Sequence, residues 1–129
     1  MSDRRKSLYL LVSLLVLMSP EARSRVPKEV YSPSRKFHEA LFQLGEQGVL
    51  PKWFIEYLEY NSMLEQFKNL RLLFAQAAYE LLIKWTGPMI LKVVPPEENL
   101  PNLLKDIATL DEVRDMARKL EERFLRVGG

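Results

Sequence analysis

The chain has 129 residues, 47% of them hydrophobic, and a formal net charge of +2. It contains no cysteine and one histidine, His38, which excludes disulfide bonds, thiol catalysis and most metal-site or catalytic-triad chemistry. The five glycines form no glycine-rich phosphate loop. We therefore predict one non-enzymatic domain over residues 1–129, with no catalytic residue, metal or cofactor.

The charge is distributed unevenly along the chain. Residues 1–36 contain eight Lys or Arg against three Asp or Glu, whereas residues 37–129 contain eleven against fourteen. An asymmetry of this kind indicates an anionic partner for the N-terminal part of the chain.

Residues 8–18 are apolar except for Ser13, and they follow the basic run Arg4-Arg5-Lys6. A basic start before an apolar run is typical of secretion signals, but residues 19–25 offer no A-x-A-like cleavage site. The run is also too short for a membrane span, which needs about 20 apolar residues. Because its side chains point in all directions around a helix, we predict a buried helix. The alternatives are an uncleaved signal or anchor, and a helix that contacts a partner chain.

A basic connection with three prolines follows at residues 19–34. Positive side chains near a helix N-terminus suit phosphate binding, because backbone N–H groups and the helix dipole assist there. The predicted nucleic-acid-binding residues lie in and just after this connection, with two weaker candidates on the last helix: Arg23, Arg25, Lys28, Arg35, Lys36, Arg114 and Arg118. Ordinary solvated surface charge is the alternative interpretation.

Two helices are predicted next. The second helix begins with a Ser32 cap and Pro33 and ends near Glu46, with His38 off its apolar stripe and therefore expected at the surface. The third helix covers about residues 51–60. Three aromatic residues share a narrow arc of it, where they either belong to the core or stack on unpaired bases: Trp53, Tyr57 and Tyr60.

Ser62-Met63-Leu64-Glu65 has the pattern of a capping box and predicts the start of a long central helix that ends at Trp85. Leu72, Tyr79 and Ile83 form a second apolar stripe on the side of this helix opposite its main stripe. The stripe is either covered by neighbouring helices or is a surface for another protein chain.

An extended proline-rich connection is predicted at residues 87–100, and a short helix at residues 101–108. Thr109-Leu110-Asp111-Glu112 is a second capping box, which opens a final helix to about Arg126. The sequence therefore predicts an all-α fold, a single-domain bundle of five or six helices with a long central helix.

Three segments carry a resemblance to a known family: SLYLLVSLLVLMSP, SMLEQFKNLRLLFAQAAYELLIKW and TLDEVRDMARKLEERF. With the cysteine-free helical composition, they resemble the small subunit of archaeal type I-A CRISPR interference complexes. The resemblance implies a non-catalytic cytoplasmic subunit, present in several copies beside the subunits that hold the guide RNA. Its basic side chains would contact phosphates of the guide–target duplex or of the displaced strand.

Two other functions remain as alternatives at this point. The first is a protein-interaction or adaptor module that uses the second apolar stripe and binds no nucleic acid. The second is a membrane-associated protein held by residues 4–18.

Overall fold

The computed structural model describes residues 1–29, 32–86 and 90–126. The α-helices in these ranges are α1 (Asp3–Leu17), α2 (Pro20–Ser24), α3 (Arg35–Glu46), α4 (Lys52–Leu58), α5 (Leu70–Tyr79), α6 (Leu100–Leu103) and α7 (Leu110–Arg126). The strands form three antiparallel pairs: β1 (Pro27–Glu29) with β2 (Ser32–Pro33), β3 (Tyr60–Asn61) with β4 (Gln66–Phe67), and β5 (Ile83–Thr86) with β6 (Ile90–Val93). One 3-10 turn covers Glu97–Asn99. Residues 30 and 31 of the predicted basic connection and residues 87–89 of the predicted extended connection lie outside the described residues.

The fold is mixed α/β, and the prediction of an all-α bundle is wrong. The main error concerns the predicted long helix over residues 62–85. Ser62 does not cap a helix, because the Asn61 side-chain oxygen accepts hydrogen bonds from the backbone N–H groups of Met63 and Leu64, at 3.0 and 3.2 Å. This turn joins β3 to β4, which pair Tyr60 with Phe67, and α5 begins only at Leu70.

The second half of the predicted long helix is also partly extended. The helix ends at Tyr79, and Leu81 adopts a left-handed backbone conformation with φ of 61°. From Ile83 to Thr86 the chain forms an antiparallel pair with β6, in register from Ile83 opposite Val93 to Thr86 opposite Ile90. The predicted extended connection therefore supplies a strand partner instead of a simple link.

The capping-box prediction at the last helix is confirmed. The Thr109 hydroxyl accepts from the Glu112 N–H at 3.2 Å, and the Glu112 carboxylate accepts from the Thr109 N–H at 3.3 Å. The predicted start of the second helix is two residues too early, because Ser34 and not Ser32 accepts from the Phe37 N–H. Its predicted end at Glu46 is confirmed.

The apolar helix α1 lies at the centre of the fold, which confirms the buried-helix prediction. It contacts α4, α5, α6, α7 and β6, and its leucines from Leu8 to Leu15 are almost completely inaccessible. After the charged first turn, contacts on all sides explain why residues 7–15 of this helix have no polar face. Among the described residues, no helix has both the length and the apolar character that a membrane crossing requires.

We predict that Leu14→Asp unfolds the domain. Leu14 is fully buried, and an unpaired buried carboxylate costs several kcal/mol, comparable with the roughly 5–15 kcal/mol that stabilises a domain. Leu72→Asp is the matched control, because Leu72 is 61% exposed and its replacement should cost less than about 1 kcal/mol. Urea unfolding followed by circular dichroism measures both. A folded Leu14→Asp protein of normal stability would contradict the central position of α1.

Candidate anion-binding site

A cavity of about 440 Å³ opens where the β1–β2 and β3–β4 hairpins meet the N-terminal ends of α3 and α5. Four of the side chains around it are basic, and no acidic residue is among its described lining residues. The lining consists of Lys28, Ser32, Pro33, Arg35, His38, Asn61, Leu64, Gln66, Phe67, Lys68 and Arg71.

Local hydrogen bonds place the basic side chains at this cavity. The Ser34 cap fixes the start of α3, so that Arg35 occupies its first turn. The Lys68 N–H donates to the Glu59 carbonyl at 2.8 Å, and this bond holds the segment that leads into α5. Arg71 therefore lies in the first turn of α5. Both helices turn their positive ends towards this part of the molecule, which favours an anion there.

The four cations differ in how far they are already neutralised. Lys28 and Arg71 form no ion pair with any described residue. Arg35 is paired with Glu65, and the Lys68 ammonium lies 3.7 Å from a carboxylate oxygen of Glu59.

Both paired carboxylates belong to residues with left-handed backbone conformations. The φ angles are 53° at Glu59 and 54° at Glu65. Residues with a Cβ adopt this region at a cost of roughly 1 kcal/mol or more. Each carboxylate is thus presented by a tight, strained turn.

His38 forms part of the cavity wall, and its predicted surface position is wrong. The residue is only 5% exposed, because β4 covers it and the Phe67 ring stacks on its imidazole. Its Nδ1 accepts a hydrogen bond from the Phe67 N–H at 2.9 Å, and burial lowers the pKa of His38 to about 4. In the neutral ring an accepting Nδ1 leaves the proton on Nε2.

The structure brings only Lys28 and Arg35 of the predicted nucleic-acid-binding set to the cavity. Arg23 lies elsewhere, where its guanidinium donates to the carbonyls of Leu15, Val16 and Met18 at 3.1–3.2 Å. These carbonyls are at the C-terminal end of α1, so Arg23 caps that helix.

The other predicted basic residues are surface groups outside the cavity. Arg25 pairs with Glu21 at 2.9 Å, and Lys36 is exposed without an ion pair to a described residue. The two candidates on α7 are held by carboxylates: Arg114 by Glu97, and Arg118 by Asp115 and Glu122. Hydrogen bonds from Lys119 and Arg118 lower the pKa of Asp115, in keeping with a solvated network of ion pairs.

The predicted protein-interface residues are also divided. Leu72 is 61% and Tyr79 is 84% exposed, so neither is covered by neighbouring helices. Ile83 belongs to β5 and is buried, so its assignment to a surface stripe is wrong. The three residues form one stripe only if a single helix passes through all three positions, but α5 ends at Tyr79.

The aromatic trio has mainly packing contacts. The Tyr60 ring stacks on Phe42 at 4.1 Å between centroids, and the Lys6 ammonium lies 4.8 Å from the centre of the half-buried Trp53 ring. All three rings are partly buried and pack against the hydrophobic core, which supports the core interpretation.

Sequence reasoning missed three residues of the cavity: Lys68, Arg71 and His38. Lys68 and Arg71 fall within the predicted helix over residues 62–85, and no local pattern distinguishes them there. The β3–β4 hairpin replaces the first part of that predicted helix and brings both residues to the cavity that Lys28 and Arg35 also line.

No protein-family model, curated protein or solved structure matches this chain. The cavity and the exposed residues of α5 are therefore the basis for a functional proposal.

We predict that Arg23→Gln lowers the free energy of unfolding by about 1–3 kcal/mol, because it removes a charged donor from three helix-end carbonyls. Arg25→Gln removes the same charge from an exposed ion pair and should cost less than about 1 kcal/mol. Equilibrium urea unfolding compares the two variants. Equal stability would contradict the capping role of Arg23.

We predict that acid destabilises the protein through His38. The unfolded ring binds a proton near pH 6.5 and the folded ring only near pH 4. The stabilisation is therefore complete above pH 6.5 and is lost as the pH falls towards 4, by about 3 kcal/mol in total. Stability against pH should be flatter in His38→Asn, whose side-chain oxygen replaces the Nδ1 acceptor. NMR titration of the single histidine checks the cause, and a midpoint near 6.5 would contradict it.

Proposed function

We propose that this protein is a non-catalytic accessory subunit that contacts nucleic-acid phosphates through the basic cavity. The observation that supports this most directly is the convergence of Lys28, Arg35, Lys68 and Arg71 on one concave site without a lining carboxylate among the described residues. Phosphate oxygens are the anions that such clusters of Lys and Arg bind most widely, and backbone N–H groups at helix ends add to the attraction.

The arrangement favours binding with little sequence preference. Lysine and arginine side chains at turns and helix starts attract phosphate charge but do not by themselves read base edges. Lys36 adds an exposed, unpaired charge beside Arg35 in the first turn of α3. The strength of binding should therefore come from counterion release and should depend on salt.

A protein partner is the second part of the proposal. Leu72 directly follows Arg71 in α5, and Tyr79 lies two turns further along the same face. Two large exposed side chains on one helix suit a contact with another subunit, as in the CRISPR interference complexes that the sequence resembles. We propose the cytoplasm as the compartment of this assembly. The same two residues favour the adaptor module without nucleic acid as the second candidate function.

We predict that Lys28→Gln with Arg71→Gln weakens binding to a single-stranded oligonucleotide and reduces the log–log salt slope by about 1.4, since two cations that neutralise phosphate charge are lost. The matched control is Lys84→Gln with Lys92→Gln. These lysines are exposed, lie opposite each other in the β5–β6 pair, and form no ion pair with a described residue. The control removes the same charge away from the cavity and should leave the slope nearly unchanged. Fluorescence anisotropy at several salt concentrations measures both.

A third variant has the opposite expected sign. Glu65→Gln releases Arg35 from its ion pair, so binding should become tighter and the salt slope steeper by about 0.7 on single strands. Equal effects of the cavity and control double variants would reject the cavity as the binding site. The adaptor function would then lead.

A further inference from the structure

The charge of the cavity matches a particular kind of phosphate. Four basic side chains line it and two carboxylates, Glu59 and Glu65, pair with two of these, which leaves a balance of +2. A phosphate monoester carries about −1.5 to −2 charges at neutral pH, whereas each phosphodiester inside a strand carries one. One monoester therefore neutralises the cavity, whereas one phosphodiester leaves a positive charge in it.

The size of the cavity leaves room for more than the phosphate. Its volume of about 440 Å³ lies within the range of small-molecule pockets and exceeds what a lone phosphate needs. The nucleoside that carries a terminal phosphate therefore has space beside it in the same cavity.

His38 supplies a third feature, a neutral donor in the cavity wall. Its Nδ1 is occupied by the Phe67 N–H, so the ring proton is carried by Nε2. In the described part of the chain Nε2 has no hydrogen-bond partner, and His38 is one of the residues that line the cavity. A phosphate oxygen at the cavity wall could accept this proton without any change in the charge of the ring.

We propose that the cavity binds the terminal phosphate monoester of a nucleic-acid strand, with Lys28 and Arg71 as its free cations and His38 as an Nε2–H donor. The inference rests on the proposed function and narrows it from phosphate contact in general to recognition of a strand end. It identifies Lys28, Arg71 and His38 as specificity-determining residues.

The test compares a short oligothymidylate in three forms: 5′-phosphorylated, 3′-phosphorylated and with hydroxyls at both ends. The full chain should bind at least one phosphorylated form about tenfold more tightly than the hydroxyl form, because the extra charge adds hydrogen bonds to charged donors. The preferred form identifies the strand end. Competition by thymidine 5′-monophosphate shows whether the end nucleotide alone suffices. The preference should disappear in Lys28→Gln with Arg71→Gln and persist in Lys84→Gln with Lys92→Gln.

NMR of the single histidine gives a readout that does not depend on a variant. The phosphorylated oligothymidylate should shift the His38 ring signals and keep the Nε2-protonated neutral form, whereas the hydroxyl form should leave them unchanged. His38→Asn keeps an acceptor for the Phe67 N–H, but its shorter side chain places the amide N–H away from the position of Nε2–H, so the variant should reduce the preference for the phosphorylated form.

The two proposals fail in different ways. Equal affinity for all three oligonucleotides, with weaker binding in the Lys28 and Arg71 variant, would overturn strand-end recognition and leave phosphate contact intact. Equal affinity of the wild type and that variant for every form, or no binding of any form, would overturn both. His38 signals that do not move at saturation would overturn the role of His38.

Discussion

The enclosure of α1 on all sides is the constraint from which the rest of the fold follows. A helix with no polar face can exist in water only when other elements cover its whole surface, and here four helices and a strand do so. Both of its ends are also fixed. Arg5 pairs with Glu80 at 2.5 Å beside the end of α5 and lowers the pKa of that carboxyl. At the other end, Arg23 of α2 donates to the Met18 carbonyl. The Ser19 N–H, which follows α1, donates to the Glu121 carboxylate of α7 at 2.6 Å.

The cavity depends on this frame although it lies at the periphery. Helix α5 packs on α1, and α3 packs on α4 and α7, so the positions of both helix N-termini are set by core contacts. The two hairpins connect the two helices at the site, because β2 of the first hairpin packs on α5 and β4 of the second hairpin packs on α3. The walls of the cavity are therefore formed partly by two short hairpins, which would not be stable without the helices they pack on.

The parts of the fold that sequence predicts well are those whose signals are local. The last helix has an apolar stripe, a capping box and no competing turn, so Leu110–Arg126 follows directly from its sequence. Residues 62–85 carry the same kinds of signal, but Asn61 offers the backbone a turn, and β5 has a partner in β6. Pairing partners are not visible in a local pattern.

The candidate site was only half predictable for the same reason. Lys28 and Arg35 stand out as charges in a basic segment, whereas Lys68 and Arg71 matter only after the chain has folded them against that segment. The partner of His38 lies 29 residues away, at Phe67, and no spacing rule connects them. Arg23 has the positive charge that phosphate binding requires, yet its position at the C-terminal end of α1 makes it a helix cap.

The central position of α1 also sets an order of events during synthesis. Helix α1 needs cover on all sides, but α7, which packs along it, begins 93 residues after Leu17, at Leu110. At about 5–20 residues per second, α1 waits on the order of ten seconds before α7 leaves the ribosome. During that interval its exposed leucines have the apolar character of a secretion signal and of an aggregation-prone segment. The basic run ahead of it and the helix-stopping Pro20 behind it are of the residue types that commonly flank apolar segments and oppose aggregation.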